Sequence, residues 1–297
     1  MSDSTRVAVL VPFRDTHPTQ QRRTHLDAFV PYMTDFLRRH CAATSASFHL
    51  FILEQSMDGR KFNRGKLLNA GFDMACTDYD VYIFHDVDLL PADSLNAWYT
   101  TVPHHGPVHI ARVWDRYRGS PTYFGGIVAF TREQFTQVNG YPNTFWGWGG
   151  EDDELYCRVV HKHLTVQAPT SGAVRDLEEM NLNEKLAVLR ANKWKCTVKR
   201  ELLKEHRRTW QKNGLKGLHY EYVDAEALNE HCTKITVHLG PNGHWSDSRS
   251  SLETSPAMAS CPASTSAVVP RRSPTDVGND ETTATVDTTG TASTHVP

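Results

Sequence analysis

Among 297 residues no apolar run approaches the roughly 20 that a membrane span needs. The start, MSDSTRVAVLVPF, has no signal-peptide anatomy and passes directly into a strand-like run. Cysteine is sparse: Cys41, Cys76, Cys157, Cys196, Cys232 and Cys261 are scattered, with no CxxC pair. They support neither a zinc site nor a disulfide framework, so buried free thiols are expected. Excess charge is missing too. With a net charge of −2 and a pI near 6.8, no nucleic-acid partner is expected. No internal repeat is visible. From Ser246 to Pro297 there are no aromatics and many Ser, Thr, Pro and Ala, the composition of a disordered tail.

What is present suits a folded domain. Hydrophobic residues make up 39% and charged residues 22%, enough apolar matter for a core under an ordinary soluble surface. Arg6–Phe13 (RVAVLVPF) is a continuous apolar run, the pattern of a strand buried on both faces. Residues 20–40 place Leu26, Phe29, Val30, Met33, Phe36 and Leu37 at helical spacing, with Pro31 as a point for a kink. Residues 48–53 form a second strand, 63–76 a helix, and 81–84 a third strand. That alternation predicts a parallel α/β core. Further on, a helix is expected from Asp93 to Thr100 and strands over 108–113 and 126–130. Thr131 and Gln134 have capping-box spacing for a helix over 132–138. Residues 153–161 and a long charged stretch, 182–206, read as helices, and 217–223 and 235–239 as late strands.

Chemistry concentrates in NGYPNTFWGWGGEDD, residues 139–153. Gly147, Gly149 and Gly150 alternate with Trp146 and Trp148, and Glu151, Asp152 and Asp153 follow at once. Glycine permits positive φ and close approach of a ligand. The indoles offer flat apolar walls with one N–H each. Three adjacent carboxylates repel one another and resist burial unless they have a task. An acidic helix start accounts for the carboxylates alone; a sugar-binding site accounts for all three features.

Asp86-Val87-Asp88 comes at the carboxyl end of a predicted central strand, the edge where open α/β sheets bind ligands. Two acids one residue apart suit a hard divalent cation that also holds phosphate oxygens; a pair of solvated loop acids is the plainer alternative. Arg14, after Pro12 and Phe13, lies at the end of the first strand on the same edge and can fork onto a phosphate or a pyrimidine. Phe62, Arg64 and Lys66 add an aromatic and two cations at a helix start, a setting that favours anions. His85 reads as a satisfied core histidine.

Five ordered stretches, VPFRD, FNRGKLLNAGF, FHDVDLLP, YFGGIVAF and NGYPNTFWGWGGEDDE, make the chain resemble the β-1,4-galactosyltransferases of glycosyltransferase family 7. The resemblance covers residues 7–167 and continues more weakly to about 240; it is nearest in style to the xylosylprotein branch. It implies a GT-A fold, a Rossmann-like mixed and mainly parallel sheet flanked by helices. That domain would span 1–245, with a nucleotide-binding part over about 6–113 and an acceptor and catalytic part over about 114–240, ahead of the 246–297 tail. It also implies an inverting transfer of galactose from UDP-galactose to a terminal sugar, with Mn²⁺ as cofactor and Mg²⁺ as an alternative. Pro12, Phe13 and Arg14 would cradle the uridine, with Phe62, Arg64, Asp86 and Val87 completing the nucleotide site. Asp88 would ligate the metal. Trp148 and Glu151 would hold the galactose, Asp152 would be the general base, and Gly150 and Asp153 would meet the acceptor glycan. Tyr123 matches a position where bulk favours galactose over N-acetylgalactosamine. The family's compartment is the Golgi lumen, although these residues carry neither signal peptide nor anchor.

One departure stands out. The family draws further metal ligands from histidines downstream, a His-x-His pair in the xylose-specific branch. Counted without a gap from Pro169, that pair falls on Asn181 and Asn183. The surrounding stretch, Asp176-Leu177-Glu178-Glu179-Met180-Asn181, has oxygen ligands and no histidine. Glu178, Asn181 and Asn183 are therefore candidate ligands. The competing reading is a helix start with Asp176 as cap and Glu179 closing the box. Three functions remain open: a UDP-galactose transferase, a transferase using UDP-N-acetylgalactosamine or another UDP-sugar, and a catalytically silent sugar-binding relative.

Overall fold

A computed structural model describes residues 4–15, 20–75, 79–117 and 119–240. The segment 246–297, expected to be a disordered tail, lies outside the described residues, as do Cys76 and Cys261.

β1 (Arg6–Phe13), β2 (Ser47–Gln55) and β3 (Val81–His85) are parallel neighbours, separated in sequence by α1 (Arg22–Thr44) and α2 (Arg64–Met74). The first strand is buried on both faces, as its unbroken apolar run predicts. Val7, Val9, Val11 and Phe13 join the cluster that contains Leu26, Phe29, Met33 and Phe36 of α1. Ala8 and Leu10 join the opposite cluster with Leu67, Leu68 and Phe72 of α2. Each fully buried Leu or Phe contributes about 1.5–3 kcal/mol, so the alternation pins the register of the strand. Pro31 lies inside α1 without ending it.

The sheet is completed by strands from far along the chain: β5 (Val108–His109), β6 (Ile127–Phe130), β8 (Glu221–Asn229) and β9 (Cys232–His238). Its order is β5-β6-β3-β1-β2-β9-β8, and β6 on β3, β5 on β6 and β8 on β9 are antiparallel. The parallel expectation therefore holds for the centre, and the sheet is mixed. A second small sheet pairs β4 (Leu89–Pro91) with β7 (Val174–Asp176). The remaining helices are α3 (Asn96–Thr100), α4 (Arg132–Gln137), α5 (Glu151–His161), α6 (Leu182–Ala191) and α7 (Lys199–Thr209).

Several boundaries differ from those expected. The strand foreseen over 108–113 stops at His109, and Ile110–Val113 turns as a 3₁₀ helix. The single long helix over 182–206 is two, because Lys193 adopts φ 55° and the chain turns back toward Trp148. The strand expected over 217–223 runs over 221–229 instead. The Thr131–Gln134 capping box is present. Of the thiols, Cys41, Cys196 and Cys232 are buried and free, whereas Cys157 is exposed. No described helix is long and apolar enough to cross a membrane.

Candidate active site

Parallel pairing brings the carboxyl ends of β1 and β3 to one edge of the sheet, with Val7 opposite Val81 and Leu10 opposite Phe84. Pro12, Phe13 and Arg14 leave that edge beside Asp86, Val87 and Asp88. The backbone N–H of Asp86 donates to the Gly126 carbonyl at 2.9 Å, which ties the acidic triplet to the YFGG segment. Gly150, at φ 109°, turns the chain into α5, so Glu151, Asp152 and Asp153 occupy its first turn, where the helix dipole favours negative charge. A buried pair holds that helix from behind. Arg158 donates to Glu154 Oε1 at 2.5 Å and to the carbonyls of Asn139, Gly140 and Asn213 at 3.1, 2.8 and 2.6 Å.

These elements enclose one cavity of about 850 Å³. Its wall contains Pro12, Phe13, Arg14, Phe62, Arg64, Asp86, Val87, Asp88, Tyr123, Trp148, Gly150, Glu151, Asp152, Asp153 and Glu178. Every position that the family resemblance assigned to nucleotide, sugar or proton transfer therefore faces a common space. Lys66, read with Phe62 and Arg64 as part of the anion setting, does not: its Nζ donates to the Leu239 carbonyl at 2.8 Å. At its centre Arg64, the first residue of α2, forks between two acids from different elements. Its Nε donates to Asp86 Oδ1 at 2.7 Å and its Nη1 to Asp152 Oδ1 at 2.8 Å. The side chain of Asp152 is 23% exposed and lines the cavity. Burial, with repulsion from Glu151, Asp86 and Asp153, raises the Asp152 pKa well above the usual aspartate value, against the pull of Arg64. Burial raises Glu151 as well, and its Oε2 is buried with no hydrogen-bond partner.

Arg14 differs from expectation in its engagement. Its Nη1 donates to the Arg60 carbonyl at 2.8 Å and its Nη2 to Asp58 at 3.0 Å, so the fork is spent inside the wall. Asp153 pairs with Lys199 of α7 at 2.5 Å. Tyr123 stacks on Tyr117, with ring centroids 3.9 Å apart. Trp148 is pinned through its backbone: its N–H donates to the Trp194 carbonyl at 2.8 Å, and its carbonyl accepts from Cys196 at 3.1 Å. His85 is a core residue, bonded to the Tyr99 hydroxyl at 2.8 Å and to the Asp86 carbonyl at 2.9 Å.

Of the three further metal-ligand candidates, Glu178 stands beside Asp88, whereas Asn181 and Asn183 do not. Asn181 is the cap of α6; its side chain accepts from the N–H groups of Asn183 and Glu184, and Glu184 returns a bond to complete the box. Asn181 and Asn183 are both exposed and neither lines the cavity. The helix-start reading fails in detail too, since Asp176 lies in β7 and Asn181, with Glu184, forms the cap. Pairing of β4 with β7 sets Asp176 opposite Leu89, and Leu177 N–H donates to the Asp88 carbonyl at 2.8 Å. Asp88, Asp176 and Glu178 consequently converge, each offering an oxygen within 4.8 Å of the others. Three carboxylates form the hard donor set that suits Mn²⁺, Mg²⁺ or Ca²⁺. Glu178 follows β7 in a turn, where its N–H donates to Asp176 Oδ1 at 2.9 Å, and that turn, which no sequence motif marks, brings the two carboxylates together.

Three cations balance these acids. Arg22 reaches Asp88 at 2.8 Å and Glu178 at 2.6 Å. Arg116 reaches Glu178 at 3.0 Å and also pairs with Asp176. Lys185 bonds Glu178. Burial alone would raise the Asp88 carboxyl, but Arg22, Lys185 and Arg116 outweigh it and hold the pKa below the usual range. None of these three cations was legible as a site residue, because each arrives from an element with no motif of its own.

Known proteins give this geometry a context. Family models described as the N-terminal region of glycosyl transferase group 7 and the N-terminal domain of galactosyltransferase match residues 2–101 and 106–182. Beta-1,4-galactosyltransferase 1 of Mus musculus is 32% identical over 240 residues, 79% of this chain and 55% of that protein. Beta-1,4-galactosyltransferase 7 of Drosophila melanogaster is 42% identical over 166 residues, 55% of this chain and 48% of that protein. The chain thus spans about half the length of these relatives. The crystal structure of the catalytic domain of the Drosophila enzyme 7 with xylobiose superposes with a TM-score of 0.65 at 32% identity, covering 80% of this chain and 95% of that one. A mutant of it in complex with manganese, UDP-Gal and xylobiose superposes at 0.64. The mixed sheet with flanking helices is the GT-A architecture of those structures. The chain belongs to the β-1,4-galactosyltransferase family, glycosyltransferase group 7.

Proposed function

We propose that this chain is an inverting, metal-dependent glycosyltransferase that moves galactose from UDP-galactose to a terminal sugar in β-1,4 linkage. The observation that carries the reading is Arg64, which joins the acid at the sheet edge to the acid on α5 within one cavity. Nucleotide would lie along Pro12, Phe13, Phe62 and Val87, in the part of the domain over about 6–113. The acceptor would enter from the part over about 114–240, past Gly150 and Asp153. A manganese complex of the Drosophila relative with UDP-Gal and xylobiose supports both donor and cation, and makes xylose the acceptor to test first.

Asp88, Asp176 and Glu178 would hold the cation, which when bound supplies charge neutralisation for the departing diphosphate. Arg64 adds a second positive charge near the leaving group. Asp152 takes the proton of the acceptor hydroxyl as that oxygen attacks C1 from the face opposite UDP. A single displacement with no enzyme-bound sugar inverts the anomeric centre. The unpartnered Glu151 Oε2 accepts a hydroxyl of the donor sugar, which repairs its lost hydration. Trp148 covers the sugar and excludes water that would otherwise hydrolyse the donor. Tyr123, braced by Tyr117, leaves little room for an N-acetyl group.

UDP release against a panel of UDP-sugars, with and without Mn²⁺ and with a xyloside acceptor, tests the proposal. Metal-dependent release with UDP-galactose is the expected result. Release confined to UDP-N-acetylgalactosamine would replace the donor assignment, and sugar binding without release from any donor would sink the catalytic one.

A further inference from the structure

We propose that Arg22 is the resting counter-cation of the carboxylate cluster: a divalent cation displaces it, and the freed guanidinium then contacts the donor's diphosphate. The inference rests on the cation site proposed above and concerns this chain's own residues around it.

Three carboxylates cannot stay ionised and close together without compensation. Arg22, Arg116 and Lys185 supply it, and they are not held alike. Arg116 is 4% exposed, donates from Nε to the Met180 carbonyl at 3.0 Å, and lies 4.7 Å from the Trp114 ring. It is built into the wall. Lys185 is buried on α6 against Glu178. Arg22, at 16%, is the most exposed of the three. Its hydrogen bonds go to Asp88, Glu178 and the ring of its own-helix neighbour His25, at 2.8, 2.6 and 3.2 Å. Among the described residues, none goes to backbone. It also sits at the first residue of α1, where a long side chain swings without disturbing packed turns.

A divalent cation needs the oxygens that Arg22 bonds. Carboxylate oxygens hold Mn²⁺ or Mg²⁺ at about 2.0–2.2 Å, which puts the ion against the guanidinium that spans Asp88 and Glu178. The cluster is neutral with three acids and three cations, so two more positive charges favour the loss of one. Arg22 is the one whose anchors are the prospective ligands themselves. It lies on the wall of the same cavity as Arg64 and Trp148. A diphosphate entering that cavity offers the planar fork a bidentate partner. Cation and nucleotide therefore bind with positive coupling, since each stabilises the arrangement the other requires.

The test is direct binding to the full chain. Mn²⁺ affinity is measured by electron paramagnetic resonance without nucleotide, and UDP affinity by calorimetry at saturating Mn²⁺. Arg22→Gln should bind Mn²⁺ at least fivefold more tightly than wild type and UDP at least fivefold more weakly. Arg22→Lys, which reaches one acid in place of two, should fall between. Arg60→Gln removes a cavity-wall cation that bonds none of the three acids, and should leave Mn²⁺ affinity within twofold. Mn²⁺ binding that is unchanged or weaker in both Arg22 variants overturns the displacement while leaving the cation site intact. Unchanged UDP affinity overturns the diphosphate contact. Failure of every protein, wild type included, to bind Mn²⁺ overturns this inference together with the site it rests on.

Discussion

Gly125 faces the proposed base closely enough for a single methyl group to test where that base must stand. A Cβ built on Gly125 would lie 2.9 Å from Asp152 Cγ and 2.9 Å from Tyr123 Cε2, and nearer still to Asp152 Oδ2. Ordinary contact begins at 3.4 Å. In Gly125→Ala the carboxylate must retreat by about half an ångström at Cγ and further at the oxygen, which stretches the 2.8 Å bond to Arg64. Gly125 is not in the left-handed region, so alanine brings a steric conflict and no backbone strain. A misplacement of about 1 Å costs on the order of 10²-fold in rate, so kcat/KM should fall by about 10- to 100-fold, or about 1.4–2.7 kcal/mol. The clash should cost about 1–3 kcal/mol of stability, of which the smaller unfolded-state entropy of alanine returns about 0.4–1 kcal/mol. The assay is galactose transfer to a xyloside, with a thermal melt on the same preparation. A Gly125→Ala enzyme that melts like wild type and turns over within threefold of it would refute the placement of Asp152.

Asp152 must be ionised to act as a base, and burial raises its pKa, so activity should fall with decreasing pH at a point above the usual aspartate range. Arg64 opposes that rise; a pH profile of kcat for Arg64→Gln should show its acid limb at higher pH than wild type, and a limb that stays put would dissociate the pair. Replacing Arg158 with Met strands Glu154 in the core and should cost about 3–5 kcal/mol in denaturant unfolding, whereas a loss below about 1 kcal/mol would mean the pair does not anchor α5. Tyr123→Leu should raise the rate with UDP-N-acetylgalactosamine relative to UDP-galactose by about tenfold; an unchanged ratio would show that Tyr123 does not read the donor. Because the proposed cation site is all carboxylate, Mg²⁺ and Ca²⁺ should compete with Mn²⁺ in binding titrations, and competition by neither would argue for a different ligand set.

The edge proposed for the nucleotide was legible because unbroken apolar strands end in polar motifs. Val7–Phe13 and Val81–Phe84 bury both faces, and their parallel pairing leaves Arg14 and Asp86 nowhere to go but the same rim. The GWGG glycines were legible for a related reason: Gly147, Gly149 and Gly150 all take φ near 100°, where side chains are strained. What escaped was decided by tertiary pairing. Asp176 joins Asp88 and the foreseen Glu178 because β7 adds to β4, two three-residue strands too short to announce themselves. Counting along the chain put the ligands on Asn181 and Asn183, past the strand that sets the register. Arg22 and Arg116 look like ordinary surface cations in sequence, and the break at Lys193 was hidden inside a pattern that reads as one helix.

In the proposed reaction the carboxylate cluster around Asp88 and the carboxylate of Asp152 serve the same sugar with separable tasks. Titrating UDP-galactose into Mn²⁺-loaded Asp152→Asn and Asp88→Asn, with single-turnover transfer measured on the same samples, tests it most directly. Asp152→Asn should bind donor within about threefold of wild type and lose about 10²–10⁴-fold in transfer, whereas Asp88→Asn should lose both. Near-wild-type transfer by Asp152→Asn, or undiminished donor binding by Asp88→Asn, would contradict the account.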